Sequence, residues 1–446
     1  MKQLPLAVAA LGGLGLAAAP AGAGQDFRAV ARPAVVARTA TRSRPGELIV
    51  RFREGADERT VERALREVGA RIARRAMRGS HYRVTLAEDA STLEAVRQLT
   101  QLPEVDYAEP NFMVHKLQGA SFTPNDRFFD VQWNFKLIGA TRTWAIQKGS
   151  TQVAIAVVDT GIAYEDFGPF RKAPDWGGMS FLPGFNALSG DSHANDDEGH
   201  GTHVASTIAE ATNNSEGMAG LAFGCSLMPV KVLDAQGLAD VFTVAEGIDY
   251  VTNFRQGGAN PVKVINLSLG GPDPSETLRR AVDRAVAAGI VVVAAAGNDS
   301  RNGVDYPAAE ASVMAVGAVD GRKQRAFYSN FGSKISVVAP GGDVDRDDDN
   351  DGHFDAVYQQ TLDFDFTPLG RYDQFCYCGF DGTSSASPHV AALAALLISQ
   401  GITSPAAVRA AIEQTAEDLG APGRDDQFGH GLIAPAKALS GLGLNK

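Results

Sequence analysis

Residues 153–159, with the sequence VAIAVVD, form a nearly continuous apolar run that ends in a carboxylate. Five more short apolar runs follow it, at residues 227–233, 262–270, 290–298, 313–319 and 335–341. Amphipathic stretches at 241–254 and 276–289 separate some of these runs. Strands that are apolar on both faces and alternate with helices are typical of a parallel sheet covered on both sides. The sequence therefore predicts an α/β domain with a mostly parallel sheet and helices on both faces.

The beginning of the chain has the composition of an export signal. Residues 1–23 contain one lysine, an apolar stretch from Leu4 to Ala18 and small residues up to Ala23. This order is typical of a secretory signal peptide cleaved after Ala23, and a short membrane helix would need more strongly apolar residues. No later run reaches the roughly 18 uninterrupted apolar residues of a membrane span. We expect a secreted protein without a membrane partner.

A small α+β domain is predicted before the parallel sheet. Residues 24–45 are rich in Ala, Arg, Pro and Thr without periodicity, which indicates a linker. Residues 46–117 contain, in order, the stretches ELIVRF, DERTVERALREVGA, HYRVTL, TLEAVRQLTQL and VDYAEP. These alternate as strand, helix, strand, helix and strand, a pattern typical of a small α+β unit. Residues 118–446 form the larger domain, with an acidic insertion at 343–373.

Composition narrows the class of protein further. The chain of 446 residues is long enough for two folded units, and its net charge of -11 argues against a nucleic-acid partner. Three cysteines, Cys225, Cys376 and Cys378, allow at most one intramolecular disulfide. A Cys376–Cys378 bond would close a strained loop, and a bond from Cys225 to either one is equally allowed. The sequence leaves the pairing open.

A carboxylate and an imidazole stand where a parallel sheet presents functional groups. Asp159 closes the first apolar run, and catalytic groups gather at the carboxyl ends of parallel strands, although a helix cap is the more ordinary role for one such residue. His200 lies between two glycines at the start of an apolar-faced helix, where a capping or core histidine is the ordinary alternative. A zinc site at His200 and His203 is a weak alternative, because their i, i+3 spacing encloses no acidic residue.

A hydroxyl is offered by FDGTSSASPHVAALAAL, residues 380–396, which puts three serines at the start of a helical apolar run. Such a serine is usually a helix cap, but the positive end of a helix also favours a developing negative charge. Acyl transfer needs an attacking hydroxyl, an imidazole that takes its proton and a carboxylate that orients the imidazole. Asn298, at the end of another strand, offers an amide to the oxyanion. The sequence therefore predicts acyl-transfer chemistry.

Five sequence blocks together resemble the signature blocks of the subtilisin-like serine proteases. They are VVDTGI, GHGTHVA, INLSLGG, AAAGN and DGTSSASPHVAALAAL. Residues 46–117 resemble the inhibitory propeptide of the same family. The resemblance implies a secreted serine endopeptidase without a catalytic metal. It also implies a self-processing zymogen, whose propeptide is an intramolecular inhibitor and chaperone.

The family pattern Gly-Thr-Ser-x-Ala-x-Pro implies a role for each catalytic residue. It makes Ser384 the nucleophile and places Ser385 where many members carry methionine. It implies that His200 is the general base and that Asp159 orients it. The side chain of Asn298 and the backbone N–H of Ser384 are implied to bind the oxyanion.

The resemblance also implies how substrate binds. In the family the peptide lies extended between two backbone segments, which here match Ser268, Leu269 and Gly270, and Ala295, Ala296 and Gly297. Affinity from main-chain hydrogen bonds favours broad specificity. Aligning DYPAA places Asp305 near the base of the pocket for the P1 side chain, where a carboxylate would favour Arg or Lys. A solvated loop residue or turn former is the alternative role for Asp305.

Calcium is the cofactor that the sequence predicts. The acidic insertion contains the D-x-D-x-D-G start of an EF-hand-like loop, with candidate ligands Asp347, Asp349, Asp351 and Asp355. Tyr358 stands at position twelve in place of Glu, and a solvated acidic loop is the alternative. The stretch ATNNSEGMAG resembles a calcium loop of the family and implies Asn214 as a ligand of a second site.

The remaining expectations concern partners and rival functions. We expect a monomer that acts on polypeptide substrates and cuts itself between residues 115 and 125. An inactive family member that serves as a binding module is one rival hypothesis. A zinc peptidase is the other, and it leaves Asp159, Asn298 and Ser384 without a role.

Overall fold

The computed structural model describes the chain in five stretches, residues 43–76, 81–87, 90–112, 121–348 and 350–441. The predicted signal peptide, most of the predicted linker, Asp349 and part of the predicted self-cleavage region lie outside these residues. The described residues divide into two compact units, one numbered below 119 and one numbered above it. Each unit has its own hydrophobic core.

The smaller unit is an antiparallel sheet with two helices. Its elements are β1 Ser43–Phe52, α1 Glu58–Glu67, β2 Arg71–Arg75, β3 His81–Thr85, α2 Thr92–Gln101 and β4 Val105–Phe112. The strands lie in the order β2-β3-β1-β4. The predicted α+β class is confirmed. β1 begins within the range assigned to the linker, and β2 was missed because all five of its residues are exposed and lack the alternation of a half-buried strand.

The larger unit is built on an eight-stranded sheet in which every strand pairing is parallel. Its strands are β5 Ala154–Asp159, β6 Ser180–Phe181, β7 Phe185–Asn186, β8 Ser226–Lys231, β9 Val262–Leu267, β10 Val291–Ala295, β11 Met314–Val319 and β12 Ile335–Pro340. They lie in the order β12-β11-β10-β9-β5-β8-β6, with β7 also paired to β8. β5 and β8 to β12 coincide with the six apolar runs. The predicted parallel sheet is confirmed.

Eight α-helices belong to the described part of this unit. They are α3 Trp133–Leu137, α4 Ala140–Ile146, α5 His200–Ala209, α6 Val241–Asn253, α7 Glu276–Ala287, α8 Thr383–Ser399, α9 Pro405–Thr415 and α10 Pro435–Ser440. Short 3₁₀ helices occur at Phe129–Val131 and Thr367–Leu369. α8 packs along β9 to β12 and against α5, and every residue of α8 except Ser384 and Ser399 is buried. No described helix has the length and apolarity of a membrane span.

The acidic insertion leads into a hairpin that the sequence did not predict. β13 Val357–Leu362 and β14 Phe375–Phe380 pair antiparallel, and β14 runs directly towards α8. Gln359 and Gln360 of β13 are buried polar residues, so this strand has no apolar run. A disulfide joins Cys376 and Cys378 on β14, one of the pairings that the sequence left open, and Cys225 is free and buried. Alternate side chains of a strand share one face, which brings these two together.

Candidate active site

The site lies at the carboxyl edge of the parallel sheet. β5 is flanked by β9 on one side and β8 on the other, so the strand order reverses around it. Such a reversal leaves a crevice beyond the strand ends, where ligands bind in open α/β sheets. Asp159 is the last residue of β5, and α5 starts with His200. The fold therefore puts a strand end and a helix start beside this crevice.

The Asp159 carboxylate holds the His200 ring. His200 Nδ1 lies 2.7 Å from Asp159 Oδ1, which also accepts a hydrogen bond from the Thr160 N–H. Asp159 is fully buried, whereas the His200 side chain is 23% exposed. Burial by itself would lower the pKa of His200, but the charge and hydrogen bond of Asp159, helped by Glu198 and Asp196, raise this pKa to about 9. The imidazolium form is thus strongly stabilised.

Three acidic residues before His200 fix the start of α5, and the sequence analysis assigned them no role. Asp196 accepts hydrogen bonds from the N–H groups of Glu198 and Gly199. Asp197 pairs with the buried Lys231 Nζ at 2.6 Å. Glu198 accepts the His200 N–H at 2.7 Å, and burial raises the pKa of this carboxyl. The DDE sequence directly before the helix was the available signal, because acidic residues are favoured at a helix N-terminus.

His203 has a structural environment. Its ring is fully buried, Nε2 lies 2.8 Å from the carbonyl oxygen of Val357, and the ring stacks on Phe380 with centroids 4.0 Å apart. Burial lowers the pKa of His203 to about 3. No cluster of three or more His, Cys, Asp or Glu side chains suited to a metal occurs in the described part of the chain. His203 therefore joins α5 to β13 and does not face the same group as His200.

Ser384 is the accessible serine of the three at the start of α8. Ser385 and Ser387 are buried, and Ser384 is half-buried. Within the described residues, no hydrogen bond joins Ser384 Oγ to His200. Such contacts often tighten only when substrate is bound.

Gly382 shows where a small group fits beside Ser384. A Cβ built on Gly382 would lie 2.8 Å from Ser384 Oγ, 3.4 Å from Asn298 Nδ2 and 3.6 Å from Ser384 N. Its φ of 149° also lies in the region that glycine tolerates best. The hydroxyl and two N–H donors therefore surround one small space. Gly382 was not among the predicted site residues, although its place in the DGTSS block was a signal.

The amide of Asn298 is oriented by Thr383, the first residue of α8. Asn298 Oδ1 accepts hydrogen bonds from Thr383 N at 2.9 Å and Thr383 Oγ1 at 2.8 Å. With its oxygen held in this way, Nδ2 faces the space beside Gly382. The same Thr383 hydroxyl accepts the Gly297 N–H at 3.1 Å. Thr383 thus links the end of β10 to the start of α8.

Ser268 connects a predicted substrate segment to α8. Pro388 lies within the helix and has no N–H for the carbonyl of Ser384, four residues earlier. The Ser268 hydroxyl donates to that carbonyl at 2.8 Å and also lies 2.8 Å from Ser387 Oγ. The proline therefore leaves the Ser384 carbonyl without a helical donor, and Ser268 supplies the hydrogen bond instead.

The two predicted substrate segments follow β9 and β10, and a third segment bridges them. The Asp305 N–H donates to the Ala296 carbonyl at 3.0 Å, and Tyr306 exchanges two backbone hydrogen bonds with Gly271. Asp305 is 7% exposed, and its carboxylate forms an ion pair with Arg301 Nη2. Burial raises the pKa of Asp305, and the Arg301 charge opposes that effect. Asp305 is therefore not a solvated loop residue.

Asn214 lies beside buried carboxylates. Its Nδ2 donates to Asp175 Oδ1 at 2.6 Å, and its N–H donates to Asp126. Glu210 is also fully buried, and burial together with the charge of Asp175 raises its pKa well above the usual range. In the described part of the chain, Asp126, Asp175 and Glu210 form no ion pair with Lys or Arg. Three buried carboxyl groups therefore lie together here without a cationic side chain paired to them among the described residues.

The acidic loop uses its described carboxylates in local turns. Asp347 accepts the N–H groups of Asp351 and Gly352, each at 3.1 Å. Asp355 is buried and accepts the Asp348 N–H at 2.9 Å. Asp349, the fourth candidate ligand, lies outside the described residues.

Comparison with known proteins identifies the family of both units. Residues 150–431 match the subtilase family, peptidase S8, and residues 31–111 match the fervidolysin N-terminal prodomain. The thermophilic serine proteinase of Bacillus sp. (strain AK1) is 36% identical over 86% of this chain and 85% of its own length. Subtilisin DY of Bacillus licheniformis is 39% identical over 68% of this chain and 96% of its own. A solved protease structure from Pseudoalteromonas arctica PAMC 21717 has a TM-score of 0.60 and 32% identity, over 71% of this chain and 99% of its own.

The carboxylate–imidazole pair makes a prediction about titration. We expect the His200 ring to titrate with a pKa of about 9 in the Ser384→Ala chain, followed by its ring protons in NMR spectra. Asp159→Asn should lower this pKa, because the effect of burial remains and the charge that opposes it most is lost. The matched control is Asp249→Asn, which removes a surface carboxylate paired with Arg284 and should leave the His200 titration unchanged. An unchanged His200 pKa in Asp159→Asn would contradict the conclusion that Asp159 stabilises the His200 imidazolium.

Proposed function

The chain belongs to the subtilase family, so it is a serine-type endopeptidase, and we propose that Asp159, His200 and Ser384 are its catalytic triad. The 2.7 Å contact between the buried Asp159 carboxylate and His200 Nδ1 carries this proposal. With the Nδ1–H group donating a hydrogen bond to Asp159, the neutral ring keeps its lone pair on Nε2, the atom that a general base uses. Ser384 supplies the accessible hydroxyl at the same edge of the sheet.

The proposed reaction runs in two halves. His200 Nε2 takes the proton of Ser384 as Oγ attacks the peptide carbonyl carbon, and then gives it to the amine nitrogen as the C–N bond breaks. In the second half, His200 takes a proton from a water molecule as the water oxygen attacks the acyl carbon. The ester bond to Ser384 breaks and Ser384 regains a proton. Asp159 stabilises the imidazolium that forms in each half.

The oxyanion of both tetrahedral intermediates has two proposed donors, Asn298 Nδ2 and the Ser384 N–H. Both face the small space beside Gly382, and their orientations are fixed before substrate arrives, by Thr383 and by the first turn of α8. Preorganised donors at this point stabilise the developing charge without reorganising during the reaction.

Active-site labelling with a fluorophosphonate tests the proposed nucleophile. The wild-type chain should gain one label, located by peptide mass mapping on Ser384, and Ser384→Ala should gain none. Ser385→Ala is the matched control and should label normally, because Ser385 is buried. Labelling that persists in Ser384→Ala would disprove the assignment, and loss of peptidase activity in a zinc chelator without any labelling would favour the zinc hypothesis.

The proposed oxyanion donor predicts a specific effect of Asn298→Asp. Aspartate keeps an oxygen for Thr383 but replaces the donor with a negative charge, so we expect kcat to fall at least about 10²–10³-fold with little change in KM. That range is the one known for loss of the equivalent donor in subtilisin. Asn253→Asp, at the exposed end of α6, is the control for the same exchange. A kcat within twofold of wild type would contradict the role of Asn298.

Substrates are proposed to be polypeptides bound mainly through backbone hydrogen bonds. The segments 268–270 and 295–297 follow neighbouring parallel strands, and an extended peptide placed between them would add a strand to each. This mode of binding reads few side chains, so we propose broad specificity. A preference for a basic P1 side chain would need an Asp305 carboxylate that is free to pair with it. Arg301 already forms an ion pair with this carboxylate.

The smaller unit supports a zymogen. It is an N-terminal prodomain attached to a peptidase, so we propose that residues 46–117 inhibit the enzyme and assist its folding until the chain cuts itself between residues 115 and 125. Residues 1–23 have the composition of an export signal, so we propose a secreted enzyme. The net charge of -11 argues against a nucleic-acid partner, and a monomer without a membrane partner stays a prediction. Inhibition by the propeptide would keep a secreted peptidase from digesting the cell that makes it.

Calcium is proposed as a structural ion near Asn214. Asp126, Asp175 and Glu210 place buried carboxyl groups there, and Glu210 Oε1 has no hydrogen-bond partner in the described part of the chain. Calcium prefers carboxylate, amide and carbonyl oxygens, which fits this set. These carboxylates do not by themselves form a metal cluster, so the amide of Asn214 and backbone carbonyls would complete the shell. The acidic loop with Asp347, Asp349, Asp351 and Asp355 is the second proposed site.

The calcium proposal predicts a change in thermal stability. In the Ser384→Ala chain, which cannot digest itself, saturating calcium should raise Tm by about 5 °C or more over the chelated state. Asp175→Asn should remove most of this shift if the ion binds near Asn214. Asp347→Asn is the corresponding variant for the acidic loop. A Tm that does not respond to calcium would count against both sites.

A further inference from the structure

Asp305 lies between the two proposed substrate segments. Its backbone N–H is bonded to Ala296 of one segment, and the next residue, Tyr306, is bonded to Gly271, directly after the other. A Cβ on Gly297 would lie 2.5 Å from Asp305 Oδ2, and one on Gly270 would lie 3.2 Å from Asp305 Cβ. The side chain thus contacts both walls, and both walls are glycine where it does so.

Arg301 forms an ion pair with the carboxylate of Asp305. Its Nη2 contacts Asp305 Oδ1, and its Nε lies 3.5 Å from Asp299 on the exposed side. The Asp305 side chain is only 10% exposed, whereas that of Arg301 is 38% exposed. Arg301 therefore covers the buried charge from the solvent side.

The loop that carries Arg301 is held in place by its backbone. Asn330 Oδ1 accepts the N–H groups of Asp299 at 3.0 Å and Arg301 at 3.2 Å. Asn330 Nδ2 lies 3.2 Å from the Ala296 carbonyl and 3.5 Å from Asp305 Oδ1. One amide thus orients the Arg301 loop, a substrate segment and the carboxylate together.

We propose that Arg301 decides P1 specificity by neutralising Asp305, so that the wild-type enzyme has no marked preference for Arg or Lys. The inference rests on the proposed endopeptidase function. A basic P1 side chain would have to displace Arg301 or place a second cation beside it, and neither gives a net attraction. Without Arg301 the same carboxylate would lose its cationic partner where the P1 side chain is proposed to bind, and a basic P1 side chain would compensate it.

The experiment compares kcat/KM for peptides that differ only in P1, either Arg or Phe, with enzyme produced from the full chain. The Arg-to-Phe ratio should rise at least about tenfold in Arg301→Gln relative to wild type, because the freed carboxylate pairs with the substrate cation. Arg301→Lys keeps a cation there and should keep the ratio near wild type. Arg301→Gln/Asp305→Asn should lose the gain.

A control separates the local effect from net charge. Arg284→Gln removes one positive charge from α7, where Arg284 pairs with Asp249, and should not change the ratio. An Arg-to-Phe ratio that stays within twofold of wild type in an Arg301→Gln enzyme that cleaves the Phe peptide would overturn the inference. A wild-type enzyme that cleaves neither peptide would instead refute the proposed function, so the two failures are distinguishable. If Arg301→Gln does not fold, the wild-type enzyme still tests the inference. A marked preference of wild type for the Arg peptide over the Phe peptide would overturn it.

Discussion

The hydrogen bond between Asp159 and His200 is the interaction on which the site depends. Asp159 is fully buried at the end of the central strand β5, and its charge is balanced chiefly when the His200 ring carries a proton. The position follows from the fold, because the strand order reverses around β5 and leaves its carboxyl end open to α5. A carboxylate that is costly to bury is thereby kept where an imidazolium must form.

A second set of contacts connects the proposed substrate segments to the proposed nucleophile. Pro388 frees the Ser384 carbonyl, which the hydroxyl of Ser268 then satisfies, while Thr383 holds the amide of Asn298. The segments after β9 and β10 are therefore bonded directly to the first turns of α8. Side chains that are fixed by such neighbours hold their geometry before substrate binds, which is the condition for electrostatic catalysis.

Much of the fold was predictable, and the misses have physical causes. The six buried strands were found because burial on both faces demands apolar runs, such as 153–159. β2 and β13 were missed because one is fully exposed and the other buries glutamines, so neither shows a strand period. Within the site, strand ends and helix starts marked the residues proposed as the triad. The Arg301–Asp305 pair depends on how a loop folds back, which no local pattern records.

The central claim is that this chain is a self-processing serine peptidase whose nucleophile is Ser384. The intact mass of the purified product, compared between wild type and Ser384→Ala, tests it most directly. The account predicts that wild type is cut between residues 115 and 125, while the variant keeps its propeptide. A variant cut at the same bond, when produced in a host without other proteases that cleave it, would contradict the account and shift attention to another nucleophile.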